Sequence, residues 1–168
     1  MKILVINGHP DRESYCQAIF QTIVETIDSN RHELKVISLN EEDFDPVLRY
    51  GYRKRMEEDS FILRSQEWIQ WADHLIFVYP IWWSSMPSLM KGWIDRVFTP
   101  GIAYSANDQG SFIWNYLRGK QFKKLLKGKT ASIYATSMAP TCWYKIFSGP
   151  LNIPDSYGIS VLKNAVLN

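Results

Sequence analysis

The feature that most constrains this chain is a pair of short runs in which every residue is apolar, Ile3-Leu4-Val5-Ile6 and Leu75-Ile76-Phe77-Val78. Consecutive rather than alternating apolar residues mark a strand covered on both faces, the situation of a central strand in a parallel sheet. Residues 34–39, with β-branched Val36 and Ile37, and residues 131–135 supply two more strands. Helical patterns separate them. Ser14 can cap a helix, and Gln17 three residues on completes an S-x-x-Q capping box. Tyr15, Ile19, Ile23 and Ile27 then recur at i, i+4, i+8 and i+12 as one apolar stripe, with Ala18 beside them. A second helix is expected from about Ser60, with Phe61, Ile62, Ile69 and Ala72 on one face, and a third over Leu89, Met90, Trp93, Ile94 and Val97. Residues 98–114 read as a long irregular segment and residues 120–127 as a short basic helix. Strands alternating with helices, the strands apolar throughout, predict an α/β fold: an open doubly wound parallel sheet with helices on both faces.

Composition narrows the function classes. At 168 residues, 46% of them hydrophobic, the chain is expected to form a single domain with a sizeable core. Cys16 and Cys142 are too few and too far apart for a disulfide scaffold or a four-ligand zinc site, so no metal is expected and a reducing, cytoplasmic setting is. A net charge of +2 gives no overall electrostatic case for a nucleic-acid partner. No segment reaches the roughly 18 consecutive apolar residues of a membrane span, so an integral membrane protein is not expected. Aromatic residues are the surplus. Seven Trp, nine Tyr and eight Phe exceed what a small core needs, which leaves some to face a ligand or another subunit.

In an open α/β sheet, ligands bind outside the carboxyl ends of the strands. Three loops therefore matter: residues 7–14, 79–87 and 136–144. The first, Gly8-His9-Pro10-Asp11-Arg12-Glu13-Ser14-Tyr15, enters a helix N-terminus, where unpaired N–H groups and the helix dipole favour an anion. It is neither G-x-G-x-x-G nor a Walker loop, which disfavours Rossmann-type dinucleotide binding and NTP hydrolysis. His9, Arg12 and Ser14 can bond a phosphate; equally, Ser14 can be only a cap and Arg12 a solvated charge. The second loop carries adjacent Trp82 and Trp83, which either plug the helix–sheet junction or pack on something flat.

The string P-x-W-W-x-x-x-P-x-x-x-K-x-W-x-D-R-V-F, from Pro80 to Phe98, resembles the NAD(P)H dehydrogenase (quinone) family of flavodoxin-like flavoprotein oxidoreductases. The opening N-G-H-P-x-x-x-S, the Phe44-Asp45-Pro46 triplet and Gly101-Ile102-Ala103-Tyr104 are similar to the same family. The resemblance implies a flavodoxin-like sheet of order 2-1-3-4-5. Only four strands are evident, and residues 156–167 read as the helix before a fifth, so residues 1–168 are expected to be one domain lacking its C-terminal strand.

It also implies flavin, FMN or FAD with FMN favoured by the short C-terminus, and NAD(P)H as co-substrate. The phosphate would lie at His9, Ser14, Tyr15 and Cys16, and the isoalloxazine ring along Pro80, Ile81, Trp82, Trp83 and Ser84. Thr136 and Ser137 would cover the ring's pyrimidine side. Hydride would pass from NAD(P)H to a quinone or similar aromatic acceptor in a ping-pong cycle. Trp83, Tyr104 and Tyr144 are the implied catalytic-pocket residues, Tyr104 often coming from the other subunit of a homodimer. Departures from the family pattern lie after the fourth strand. Ser137 and Met138 replace a glycine pair, Trp143-Tyr144 falls near the family's tyrosine, no histidine follows His74, and Lys145 is the available cation. Two other readings stand beside this one. Relatives resemble ancillary regulators of potassium-efflux transporters, which implies a transporter partner; a flavodoxin-like electron carrier is the other, against which the aromatic-rich residues 98–114 argue.

Overall fold

The computed structural model describes residues 1–83, 85–106 and 122–138. In chain order these form β1 (Lys2–Asn7), α1 (Tyr15–Thr26), β2 (Glu33–Ser38), a 3-10 turn (Leu39–Glu41), α2 (Ser60–Trp71), β3 (His74–Pro80), α3 (Ser88–Val97), β4 (Tyr104–Ala106), β5 (Phe122–Lys124) and β6 (Thr130–Thr136). The expected parallel sheet is present, with order β2-β1-β3-β6. Its pairs include Ile3 with Leu34, Leu4 with Leu75, and Phe77 with Ile133. The two all-apolar runs are the central strands β1 and β3, buried on both faces.

One face packs Leu4, Ile6, Leu75, Phe77 and Tyr79 against α2 and α3 through Phe61, Ile62, Ile69, Met90, Trp93, Ile94 and Val97. The other face sets Ile3, Val5, Ile76 and Val78 on α1 through Cys16 and Phe20. The expectation that all four strands are covered holds for β1 and β3 only. At the margins of the described sheet, Glu33 and Val36 of β2 and Tyr134 and Ala135 of β6 are exposed.

Three local expectations are corrected. Tyr15 does not belong to the apolar stripe of α1: it is 75% exposed, at the first helical position beyond the end of β1, and the stripe is Cys16, Ile19, Phe20, Ile23, Val24 and Ile27. The capping box is half formed. Ser14 Oγ accepts from the Gln17 N–H at 3.2 Å, but Gln17 Oε1 accepts from Asn7 Nδ2. Of the basic helix expected at 120–127, residues 122–124 are instead strand β5, paired antiparallel with β4, and residues 125–127 a turn, residues 120 and 121 lying outside the described residues; the segment expected to be irregular thus also contains a strand. Only Leu126 of Lys123-Lys124-Leu125-Leu126-Lys127 is buried, which leaves no helical stripe, whereas pairing with Tyr104–Ala106 satisfies the backbone. The helix expected over 156–167 lies outside the described residues.

The Pro80–Phe98 motif proves largely architectural. Trp93 is fully buried, its Nε1 donating to Ser65 Oγ at 3.1 Å across to α2. Arg96 Nη1 donates to the Asp45 carbonyl at 2.5 Å, and Lys91 pairs with Asp95 along the helix. Gly92 lies where an added Cβ would fall 2.3 Å from the Pro46 carbonyl oxygen. The Phe44-Asp45-Pro46 triplet and the K-x-W-x-D-R helix are thus one packing unit.

Candidate functional site

Residues from β1, β3 and β6 meet at one end of the sheet. Asn7, buried as the last residue of β1, organises the first loop. Its Nδ2 donates to Gln17 Oε1 at 2.5 Å and to Ser38 Oγ at 3.3 Å, and its Oδ1 accepts from the His9 N–H at 3.1 Å. The chain continues as side-chain-stapled turns: His9 Nδ1 accepts from the Asp11 N–H at 2.9 Å, and Asp11 Oδ1 from the Glu13 N–H at 3.0 Å. With Nδ1 so engaged, the neutral His9 ring carries its proton on Nε2, which is then its donor. Gly8 donates to the Val78 carbonyl and lies so close to α3 that a Cβ would meet Met90 Sδ at 2.3 Å. The loop is therefore fixed in place before any ligand arrives.

The loop delivers the start of α1. Ser14 satisfies the Gln17 N–H, and among the described residues the N–H groups of Tyr15 and Cys16 have no hydrogen-bond acceptor. The Cys16 side chain is turned inward, Sγ lying 3.1 Å from Thr136 Oγ1, so Cys16 can serve an anion only through its backbone. Burial pushes its thiol above the usual range, partly opposed by the Thr136 hydroxyl. Arg12 reaches away to the Asn40 carbonyl at 3.3 Å.

After β3, the chain forms a tight turn in which the Trp82 and Ser85 backbones exchange hydrogen bonds at 2.8 and 2.9 Å. The Ile81 N–H donates to the Thr136 carbonyl at 2.7 Å, tying this turn to β6. Trp82 is 44% exposed and lies edge-on to His9, ring centroids 5.5 Å apart. Trp83 has φ of 49° and is 101% exposed, its ring standing in solvent. His9, Ser14, Tyr15, Cys16, Pro80, Ile81, Trp82, Trp83, Thr136 and Ser137 thus belong to the loops and strand ends at one end of the sheet. The Ile81 and Trp82 N–H groups are spent within the protein, so they are not donors to a ligand. Ser84 and Tyr144 lie outside the described residues.

Tyr104 stands elsewhere. In β4 it packs on the α2–α3 core next to Tyr52, whose phenol donates to the Asp95 carbonyl at 3.2 Å. Burial, then Tyr104 and Asp95, raise the Tyr52 pKa. The described clefts also lie away from the strand ends, one walled by Asp43, Asp45, Glu57 and Asp59, another beside Tyr52, Gln66 and Thr99. Donor geometry rather than concavity therefore singles out the α1 terminus. Sequence reasoning missed Asn7 as its organiser, although a polar residue closing an all-apolar strand was a visible signal.

The model of the family with a flavodoxin-like fold matches residues 1–152. The ribosyldihydronicotinamide dehydrogenase [quinone] of Mus musculus is 28% identical over 154 residues, covering 79% of this chain and 66% of the relative. The first curated relatives are spanned over 57–66% of their length. The crystal structure of Smu.1420 from Streptococcus mutans superposes with a TM-score of 0.74 at 32% identity, over 99% of this chain and 80% of that one. An FMN-dependent NADH-azoreductase from Bacillus anthracis, in complex with FMN, has a TM-score of 0.69 at 15% identity, over 98% and 81% of the two chains, a likeness of fold alone.

Proposed function

The chain belongs to the flavodoxin-like fold family, and on that premise we propose that it is an FMN-dependent oxidoreductase that passes reducing equivalents from NAD(P)H to a quinone or similar aromatic acceptor. The observation that carries this reading is the stapled Asn7–Glu13 loop, which leads to two N–H groups at the start of α1 that have no acceptor among the described residues and which sets His9 beside the Trp82 ring. The residues present fit the phosphate end of a flavin. The Tyr15 and Cys16 N–H groups, the Ser14 hydroxyl as donor and the His9 Nε2–H form a set of donors, strengthened by the helix dipole. Only one phosphate is provided for by this set, which favours FMN over FAD.

The flavin, when bound, supplies the two-electron chemistry, accepting from the nicotinamide and giving to the acceptor in alternate half-reactions. The chain's own residues hold and shield. Asn7 and Gln17 fix the loop, so its donors are aligned before binding and cost no reordering. The fully exposed Trp83 and half-exposed Trp82 are the aromatic surfaces on which a flat ring or acceptor packs. Tyr104, apart from these residues within one chain, suits a homodimer in which it lines the other subunit's pocket; a mass measured by light scattering tests that arrangement.

Absorbance spectroscopy tests the main reading. The protein incubated with FMN and desalted is expected to stay yellow, to bleach under NADH or NADPH, and to recover colour when a soluble quinone is added. A protein that leaves the column colourless after FMN and after FAD refutes the proposal; one that binds FMN but is not bleached by either nicotinamide is an electron carrier instead. Ser14→Ala and Trp83→Ala are expected to weaken FMN retention and acceptor turnover respectively, Trp83→Ala without loss of thermal stability because its side chain buries nothing.

A further inference from the structure

The charge of this chain is divided along its length. Residues 1–108 contain eleven basic and sixteen acidic residues, residues 109–168 eight basic and one acidic. Between residues 109 and 154 there is no Asp or Glu at all, against one Arg and six Lys. Such asymmetry within a chain of small net charge marks a local surface for an anionic partner.

Within that run, the described residues begin with β5 and the turn after it. Lys123, Lys124 and Lys127 are exposed, and none enters an ion pair among the described residues. Leu125 is exposed beside them, whereas Leu126 is buried and anchors the turn. The platform is rigid. The Leu125 N–H donates to the Ala103 carbonyl at 2.9 Å and the Lys129 N–H to the Leu126 carbonyl at 3.3 Å. Lys129 Nζ caps α2 by donating to the Gln70 carbonyl at 2.8 Å and to that of Ala72. It is therefore a structural cation, and the three exposed lysines are the ones left for a partner. The turn leads into Thr130, the first residue of β6, while the candidate site lies past Thr136 at its other end. Six residue steps of about 3.3 Å separate them by roughly 20 Å, so a partner on the turn leaves the site open.

We propose that this lysine turn docks the protein on an anionic lipid surface. Lysines are strongly hydrated point charges on flexible stems, suited to a diffuse field of headgroups rather than to the bidentate recognition that arginine gives. Leu125 among them adds an apolar contact at the headgroup boundary. No described helix is long and apolar enough to cross a membrane, so attachment would be peripheral.

The test is co-sedimentation of the full chain with phosphatidylcholine vesicles, with and without phosphatidylglycerol. Binding is expected only to the anionic vesicles and should weaken with salt. At about 1 kcal/mol per lysine, the triple variant K123Q/K124Q/K127Q should bind roughly 100-fold more weakly, and Lys123→Gln alone about 5-fold. The control R53Q/K54Q/R55Q removes the same charge from another exposed basic run and should bind as the wild type does. Equal loss in both triple variants, or no preference of the wild type for anionic vesicles, overturns the proposal. So does duplex DNA that displaces the vesicles through the same lysines, since the partner would then be a nucleic acid. Melting curves confirm that each variant is folded, and the single substitution retains the test if the triple variant is not.

Discussion

Replacing Gly92 by alanine sets two physical effects against each other, and the structure decides which wins. Gly92 is interior to α3, where alanine is better than glycine by about 1 kcal/mol. On helix propensity alone the substitution stabilises. But the new Cβ would fall 2.3 Å from the Pro46 carbonyl oxygen and 2.5 Å from Pro46 Cβ, and these atoms belong to a proline that cannot rotate out of the way. Restoring even a 3.0 Å contact moves the Phe44-Asp45-Pro46 segment by about 0.7 Å, the kind of overpacking that costs 1–3 kcal/mol. The same shift stretches the 2.5 Å bond from Arg96 to the Asp45 carbonyl, a charge-assisted bond worth about 1.5–3 kcal/mol when lost outright. With overpacking near the top of its range and part of that bond lost, the net is destabilisation by about 2 kcal/mol, a fall in Tm of roughly 4–8 °C for a chain of this length. Urea unfolding followed by tryptophan fluorescence reads it directly, since buried Trp93 reports on this packing. Gly8→Ala is the comparison: its Cβ also meets an atom at 2.3 Å, but that atom is the sulfur of Met90, which can turn aside, so its cost should be smaller. A Gly92→Ala protein as stable as wild type, or more so, refutes the claim that the Phe44-Asp45-Pro46 segment is clamped to α3.

Ser14→Ala should cost about 1 kcal/mol in urea unfolding through the lost bond to the Gln17 N–H, and Ser14→Gly only a few tenths. His74 bonds Thr130 and Ser132 across β3–β6, and burial holds its pKa below 6.5. The unfolded chain therefore takes up this proton first as pH falls, so stability present above about pH 6.5 is lost below it. His74→Gln should flatten that part of the profile, and an unchanged acid limb in the variant would disprove the assignment. In a Cys142→Ser background, Cys16 should react with a thiol reagent at a rate limited by opening of the structure, because burial raises its pKa and holds it as the thiol.

The sheet was legible because of burial. Ile3–Leu4–Val5–Ile6 and Leu75–Ile76–Phe77–Val78 have no polar residue, and only a strand with helices on both sides can accommodate that, so β1 and β3 had to be central. β5 was not legible for the complementary reason. Its lysines show neither the 3.6 nor the 2.0 period of a buried face, and what makes it a strand is its pairing with β4, which no pattern within residues 122–124 announces. Tyr15 was misplaced because i, i+4 spacing says which residues share a helical face but not where the sheet beneath that face ends.

The candidate site was legible in its polar half and less so in its aromatic half, and the difference lies in how each is held. His9, Asp11 and Ser14 are stapled by hydrogen bonds between residues two or three apart, which sequence spacing anticipates. Trp82 and Trp83 take their positions from a turn closed by Ser85 and from a bond between Ile81 and Thr136, fifty-five residues apart. The most specific string in the chain, Pro80 to Phe98, therefore does two jobs. Its second half, Lys91 to Phe98, is a packing module that clamps α3 to the Phe44-Asp45-Pro46 segment. Its first half uses that fixed helix as a base from which to hold two tryptophans out at the end of the sheet. It follows that Gly92→Ala and Trp83→Ala separate the two jobs: the first should lower stability, the second only acceptor turnover. If Trp83→Ala instead lowered Tm as much as Gly92→Ala, the tryptophan would be a packing residue after all, and the site would have to be sought away from this turn.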